Sequence, residues 1–247
     1  MTCYRGVLVW TGLCRFLFSR SMSPTTNAIF VALEGPDRTG KSTQASLLVN
    51  ALTKLTEKPA LHLKFPDRST MIGAKISEYL KGDSQIEDHV LHLLFTANRW
   101  ERQDQLCQAL SQGVCVVADR YSYSGIAYTA AKPAPAPSWQ WCCDMEKGLI
   151  EPDLVICLTP ECLDDLKSRD GYGEELYETT DYQARVLANF YRLGKTSSSQ
   201  DIEADNDDRL TWHFVQATNK SIDEVHQCIM AIVTKRLHFQ EPVTEMA

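Results

Sequence analysis

Five apolar runs recur along the chain: Ala28 to Leu33, Ala60 to Phe65, Val114 to Ala118, Leu154 to Leu158 and His213 to Ala217. Each has strand length and reads as a buried strand. Segments of helical period separate them. After the first run, Leu47, Leu48, Ala51, Leu52 and Leu55 fall on one helical face, and Ile86 to Gln112 reads as one strongly helical stretch. The last helix opens with Ser221-Ile222-Asp223-Glu224, a capping box, and continues with a stripe of Val225, Ile229, Ile232 and Val233. This alternation predicts an α/β fold, a parallel sheet with helices on both faces. Two segments read as surface loops: the Ala/Pro-rich Lys132 to Ser138, and the polar, acidic Lys195 to Asp208. There is no internal repeat.

The 247 residues suffice for one large α/β domain, and 44% hydrophobic with 23% charged residues is the balance of a soluble globular protein. A net charge of -7 argues against a general nucleic-acid binder. It leaves nucleotides open, because a few aimed cations bind phosphate locally. The nine cysteines have no metal-type spacing and sit mostly in apolar runs, the pattern of buried free thiols in a reducing compartment. No apolar run approaches the roughly 20 residues of a membrane span. Residues 1–22 contain Arg5, Arg15 and Arg20 and no carboxylate, among many apolar residues. That composition suits a mitochondrial presequence; the other reading is an extension upstream of a second start at Met22.

The first apolar run leads straight into Gly35-Pro36-Asp37-Arg38-Thr39-Gly40-Lys41-Ser42, which fits the phosphate-loop pattern G-x-x-x-x-G-K-[ST]. Strand, glycine loop and helix aim successive backbone N–H groups and a helix N-terminus at one point, and that point binds polyphosphate. Lys41 adds a mobile charge for the terminal phosphates, and Ser42 a hydroxyl for Mg²⁺. The third run ends in Asp119, a carboxylate placed to organise Mg²⁺ and its waters, followed by Arg120 and Tyr121. The plainer reading of Asp119-Arg120 is a salt-bridged pair. Phe65-Pro66-Asp67-Arg68 closes the second run and brings another Arg to the same sheet edge. Phe95 and Arg99 lie four apart and share a helical face, where Phe95 can stack on a base and Arg99 can bond a base carbonyl. Taken alone, such a Phe is ordinary core and such an Arg ordinary surface.

The chain closely resembles the thymidylate kinases, the dTMP kinases of the nucleoside monophosphate kinase group, from about Ala28 to Leu237. The motifs that carry the resemblance are Leu33-Glu34-Gly35 through Thr43-Gln44, Phe65 to Thr70, Leu93-Leu94-Phe95 with Ala97 to Glu101, and Asp119-Arg120-Tyr121 with Ser124-Gly125. The resemblance implies a P-loop NTPase fold with a five-stranded parallel sheet and a mobile lid, and ATP-dependent, Mg²⁺-assisted conversion of dTMP to dTDP. In that picture Gly35, Asp37, Arg38, Thr39, Gly40, Lys41, Ser42 and Thr43 bind ATP. Arg38, Lys41 and Asp119 are catalytic, with Ser42 and Asp119 holding Mg²⁺, partly through water. Asp37 meets the 3′-hydroxyl of dTMP, and Arg68 and Arg120 its 5′-phosphate. Phe95 stacks on thymine, Arg99 bonds O4, and Tyr121 crowds a 2′-hydroxyl. Phe65, Ser124 and Gly125 also line the acceptor site, and Tyr177 and Gln183 close over the nucleoside.

Asp170 to Glu178 resembles the family lid, within a segment near 169–182, and Leu176 falls where some relatives carry an Arg. Arg169, just before it, either stacks on adenine or ends a helix in solvent. The implied organisation is an extension over 1–26, a catalytic domain over 27–240 and a tail over 241–247, forming a homodimer without nucleic acid or membrane. The expected location is the cytoplasm, with the nucleus a second site and the mitochondrion a third for the form carrying residues 1–22. His89 and His92 lie three apart on a helix, with no third metal ligand nearby, and read as structural. The rivals are a kinase of UMP, CMP or another nucleotide or nucleoside, and a degenerate nucleotide-binding protein. A GTPase would carry an N-K-x-D motif, which is absent.

Overall fold

The computed structural model describes residues 28–166, 176, 177, 179–199 and 210–238. The extension over 1–26, Arg169, most of the lid, most of the acidic insertion and the tail over 241–247 lie outside the described residues. Five parallel strands form one sheet: β1 (Phe30–Glu34), β2 (Leu61–Lys64), β3 (Val116–Asp119), β4 (Leu154–Thr159) and β5 (Thr211–Gln216), in the order β2-β3-β1-β4-β5. All five expected strands form, shifted by a residue or two at their ends.

The three central strands β1, β3 and β4 are buried on both faces, which is why they read as apolar runs, while the edge strands β2 and β5 are only partly buried. Along β1 and just before it, Ile29, Val31 and Leu33 face one cluster, where α1 (Lys41–Thr56) and α8 (Ile222–His238) pack. Phe30 and Ala32 face the other, beneath Leu106 of α4 (Gln103–Ser111). A third cluster joins α5 (Ser122–Thr129), α6 (Trp139–Met145) and α7 (Thr180–Ser199) through Ile126, Cys142, Val186 and Phe190. The capping box of α8 forms: Glu224 N donates to Ser221 Oγ at 3.2 Å, and Ser221 N donates to Glu224 Oε2 at 2.7 Å. Val225, Ile229 and Val233 are buried as expected.

Three expectations are corrected. Ile86 to Gln112 is not one helix but two, α3 (Asp88–Trp100) and α4, with a break at Glu101 and Arg102. No Gly or Pro marks the break. Tertiary bonds set it: Arg102 Nε donates to Asp67 Oδ2 at 2.7 Å, and Gln103 Nε2 to the Tyr121 hydroxyl at 2.9 Å. The polar segment from Lys195 begins as helix, because α7 runs on to Ser199. Extending a formed helix costs little, and Thr196 Oγ1 bonds back to Arg192 O at 2.8 Å. In α1 the buried stripe is Ala45, Leu48 and Leu52, while Leu55 is exposed. A helix of this length spans about 24 Å against about 17 Å for β1, so its last turn overruns the sheet.

Among the described residues no helix is long and apolar enough to cross a membrane. The seven described cysteines are free thiols; Cys115, Cys142 and Cys157 are buried and Cys162 is exposed.

Candidate functional site

The chain leaves β1 for the distant β2, returns to β3 beside β1, and then crosses to β4 on the other side. That reversal opens a crevice at the carboxyl ends of β1 and β3. The register puts Leu33 of β1 and Lys64 of β2 both opposite Asp119 of β3. The loops after the three strands therefore emerge side by side. Between them and α3 lies a cleft of about 980 Å³, lined among others by Arg38, Lys41, Ser42, Phe65, Arg68, Phe95, Arg99, Asp119, Arg120 and Tyr121. A cleft of this size takes a nucleotide-sized ligand.

The phosphate loop has the backbone its sequence requires. A Cβ on Gly35 would fall 2.2 Å from Leu158 O, so only glycine lets the loop pass β4. Gly40 caps α1 at φ 90°, and no carboxylate sits in the first turn to neutralise that positive helix end. Lys41 Nζ lies inside the loop, donating to Pro36 O at 2.5 Å and to Thr39 Oγ1 at 3.3 Å. Burial and the Arg120 charge push its pKa down to about 7, against the pull of Asp37, Asp119 and Glu34. Ser42 Oγ donates to Asp119 Oδ2. One hydroxyl and one carboxylate converging beside a phosphate loop fit a hard, oxygen-seeking cation that keeps most of its waters. Among the described residues no group of three or more His, Cys, Asp and Glu could hold a metal. His89 instead bonds Glu87 at 2.7 Å, and His92 bonds Thr129 Oγ1 at 2.8 Å.

Arg38 and Arg120 share an uncommon backbone, with φ 62° and 68°. Left-handed backbone at a non-glycine residue costs about 1–2 kcal/mol, and such strain collects at functional sites. Arg120 is held from several sides. Its Nη2 donates to Asp37 Oδ1, its Nη1 to Gly35 O at 3.0 Å and to Ser124 Oγ at 3.2 Å, and its guanidinium lies 5.1 Å from the centre of the Tyr128 ring. Asp37 in turn accepts from Gln183 Nε2 at 2.7 Å, while its N–H donates to Gln183 Oε1 at 2.9 Å. Burial raises the Asp37 carboxyl, but Arg120 and Lys41 outweigh it and hold the carboxyl below its usual range. Arg68 stands exposed at the mouth.

On the other wall, Phe95 is half-buried and belongs to none of the buried clusters. Arg99 is 2% exposed and pairs with Glu146. Tyr121 lines the cleft, but its hydroxyl is tied to Gln103 and its ring packs on Phe30 and Phe65. Gln183 is fully buried behind Asp37 and also donates to Tyr177 O at 2.8 Å, so it supports the wall. Tyr177 stacks on Tyr182 at 4.9 Å. Thr43, Gly40 and Gly125 line the cleft, and Thr39 is buried inside the loop.

Several site groups escape sequence reasoning. Buried Glu34 accepts from Tyr121 N at 2.9 Å, Ser124 N at 3.1 Å and Ser124 Oγ, and so fixes the turn that presents Arg120. Burial pushes its carboxyl up; Ser124 and Arg120 oppose that. A carboxylate closing an apolar strand was a visible signal. Glu146, at the end of α6, gave none.

The match to the thymidylate kinase family spans residues 33–229. The chain belongs to the thymidylate kinase family. It is 44% identical over 202 residues to the thymidylate kinase of Homo sapiens, covering 82% of this chain and 88% of that one. It is 41% identical over 215 residues to that of Schizosaccharomyces pombe, covering 86% and 95%. The solved thymidylate kinase of Candida albicans superposes with a TM-score of 0.73 at 37% identity, covering 85% of this chain and 93% of that chain. The five-stranded parallel sheet and its phosphate loop are the P-loop NTPase fold of this family.

Proposed function

We infer that the chain transfers the terminal phosphoryl group of ATP to dTMP, giving ADP and dTDP, and so feeds dTTP synthesis. The observation that carries the reading is one cleft with a phosphate loop at one end and a Phe95–Arg99 wall at the other, joined by Arg38, Arg68 and Arg120. A phosphate oxygen of dTMP attacks the terminal phosphorus as the bond to the leaving diphosphate breaks. That oxygen is already anionic near pH 7, because the second phosphate pKa is about 6, so no general base is needed. The site must hold two polyanions in line and offset their repulsion. Lys41 and the α1 N-terminus hold the donor. Arg68 and Arg120 hold the acceptor phosphate, and Arg38 reaches the transferring group. Asp37, kept ionised by Arg120 and Lys41, accepts from the 3′-hydroxyl. Ser42 and, through water, Asp119 would hold Mg²⁺, which supplies further positive charge at the phosphates.

Residues 27–240 form the catalytic domain, with a lid near 169–182 that closes over ATP. The protein works in the cytoplasm and nucleus; the acid-free, Arg-bearing composition of 1–22 supports import of the long form into mitochondria. It pairs with a second copy through α3, where Val90, Leu93 and Trp100 form one exposed apolar stripe. The function is tested by incubating the protein with ATP, Mg²⁺ and dTMP and identifying the nucleotides by chromatography. Stoichiometric dTDP and ADP are expected, and neither with Lys41→Ala. ADP and free phosphate without dTDP would reject the reading.

A further inference from the structure

Arg99 is one of the largest fully buried side chains of the molecule, and a buried guanidinium demands a partner. Its partner comes from a different element. Arg99 Nε, on α3, donates to Glu146 Oε2 at 3.0 Å, and Nη2 donates to Glu146 Oε1, where α6 ends. Nη2 also reaches Thr96 Oγ1 at 3.3 Å, and Thr96 Oγ1 donates to Glu146 Oε1 at 2.9 Å. Such a two-pronged pair fixes the plane of the guanidinium as well as its place. With Nε and Nη2 engaged, Nη1 is the edge left for the cleft that Arg99 lines. Gly125 makes room for the pair: a Cβ there would fall 2.7 Å from Arg99 Nη2 and 2.8 Å from Glu146 Oε1. His92 Nε2 lies 3.3 Å from Glu146 Oε1, but burial and the Arg99 charge push its pKa down to about 4, so it brings no competing cation at pH 7.

We propose that Glu146 is a positioning residue of the nucleobase pocket, clamping Arg99 so that Nη1 presents two N–H donors to a base carbonyl. Gly125 is the second part of the clamp, since any side chain there would push the pair out of plane. The proposal rests on the assignment of Arg99 to the base. Two fixed donors suit the 4-carbonyl of thymine and oppose the 4-amino group of cytosine, itself a donor. Glu146 thus acts on base selection without touching the nucleotide.

The test is steady-state kinetics with dTMP and dCMP on active-site-titrated enzyme, well below the melting temperature. Glu146→Gln should raise KM for dTMP roughly ten- to a hundred-fold, the weight of a charge-assisted bond. It should reduce selectivity for dTMP over dCMP and leave KM for ATP and kcat at saturating dTMP little changed. Glu146→Asp should recover part of the loss. On an Arg99→Ala background, Glu146→Gln should add nothing to KM for dTMP. A purely structural Glu146 would lower the folded fraction and leave KM and selectivity untouched. If Glu146→Gln behaves normally while Arg99→Ala raises KM, the clamp is rejected and the base assignment stands. If Arg99→Ala itself leaves KM and selectivity normal, both are rejected. Should Glu146→Gln fail to fold, Glu146→Asp decides, since it keeps the charge but shortens the reach to Arg99: a raised KM for dTMP with reduced selectivity supports the clamp, and normal values overturn it.

Discussion

Lys41 and Arg38 extend from one short loop and meet different demands. Lys41 is buried among cations and carboxylates, and its pKa near 7 leaves part of the protein with a neutral amine at neutral pH. Bound polyphosphate favours the charged form and raises that pKa. ATP affinity should therefore fall as pH rises through about 7, because binding must then take up a proton. Calorimetry at pH 8 in two buffers of different ionisation enthalpy should show an uptake that Lys41→Arg, always charged, abolishes. Equal heats in both buffers would contradict the assignment. Arg38, held at φ 62°, lines the cleft, and in the proposed mechanism it meets charge that grows in the transition state. Arg38→Gly should lower kcat by about 10³–10⁵-fold, the range for an arginine in that role, with little change in the dTMP dissociation constant. A near-normal kcat would move the catalytic cation elsewhere. Lys41 was legible from the loop pattern alone, because phosphate chemistry dictates that position, whereas Arg38 stands at a variable position of the pattern and its role was implied only by the family resemblance. The partners of Glu34 and Glu146 could not be read, because they lie 87 and 47 positions away; the strand-end carboxylate flags Glu34 itself, but nothing local marks what it holds.

At the scale of elements, α3 turns Phe95 and Arg99 toward the cleft, the wall proposed for the nucleobase. Phe95 packs in none of the buried clusters, so its loss should spare the fold. Phe95→Ala should raise KM for dTMP with KM for ATP unchanged; stacking on a base is worth about 1–3 kcal/mol. Early melting with a normal KM would return Phe95 to the core. The three central strands were readable because burial on both faces writes them as apolar runs; β2 and β5, at the sheet edges, keep only part of that signal. The end of α3 was not, since the break at Glu101 and Arg102 contains no helix breaker and comes from Arg102 reaching Asp67. For the same reason the exposure of Leu55 was hidden: periodicity gives a face, and only the strand beneath says how far that face is covered.

For the molecule as a whole, the sheet order β2-β3-β1-β4-β5 is what brings three strand ends, and so the phosphate loop, Arg68 and Asp119-Arg120, to one cleft. Alternation of strands and helices announced a parallel sheet, but not which strands are neighbours. The outer side of α3, with Val90, Leu93 and Trp100 exposed, makes a second claim at this scale. On the proposed pairing, the unaltered protein should sediment as a dimer and Trp100→Glu as a monomer in analytical ultracentrifugation; a monomeric unaltered protein would reject the pairing, and a dimeric variant would place the interface elsewhere. The central claim is that one cleft joins a phosphoryl donor to a thymine nucleotide. The direct measurement is kcat/KM, by coupled ATP consumption, for dTMP, dUMP, UMP, CMP and thymidine side by side. The account predicts that dTMP leads the series, with UMP, CMP and thymidine far behind. Equal or faster turnover of UMP, CMP or thymidine would contradict it.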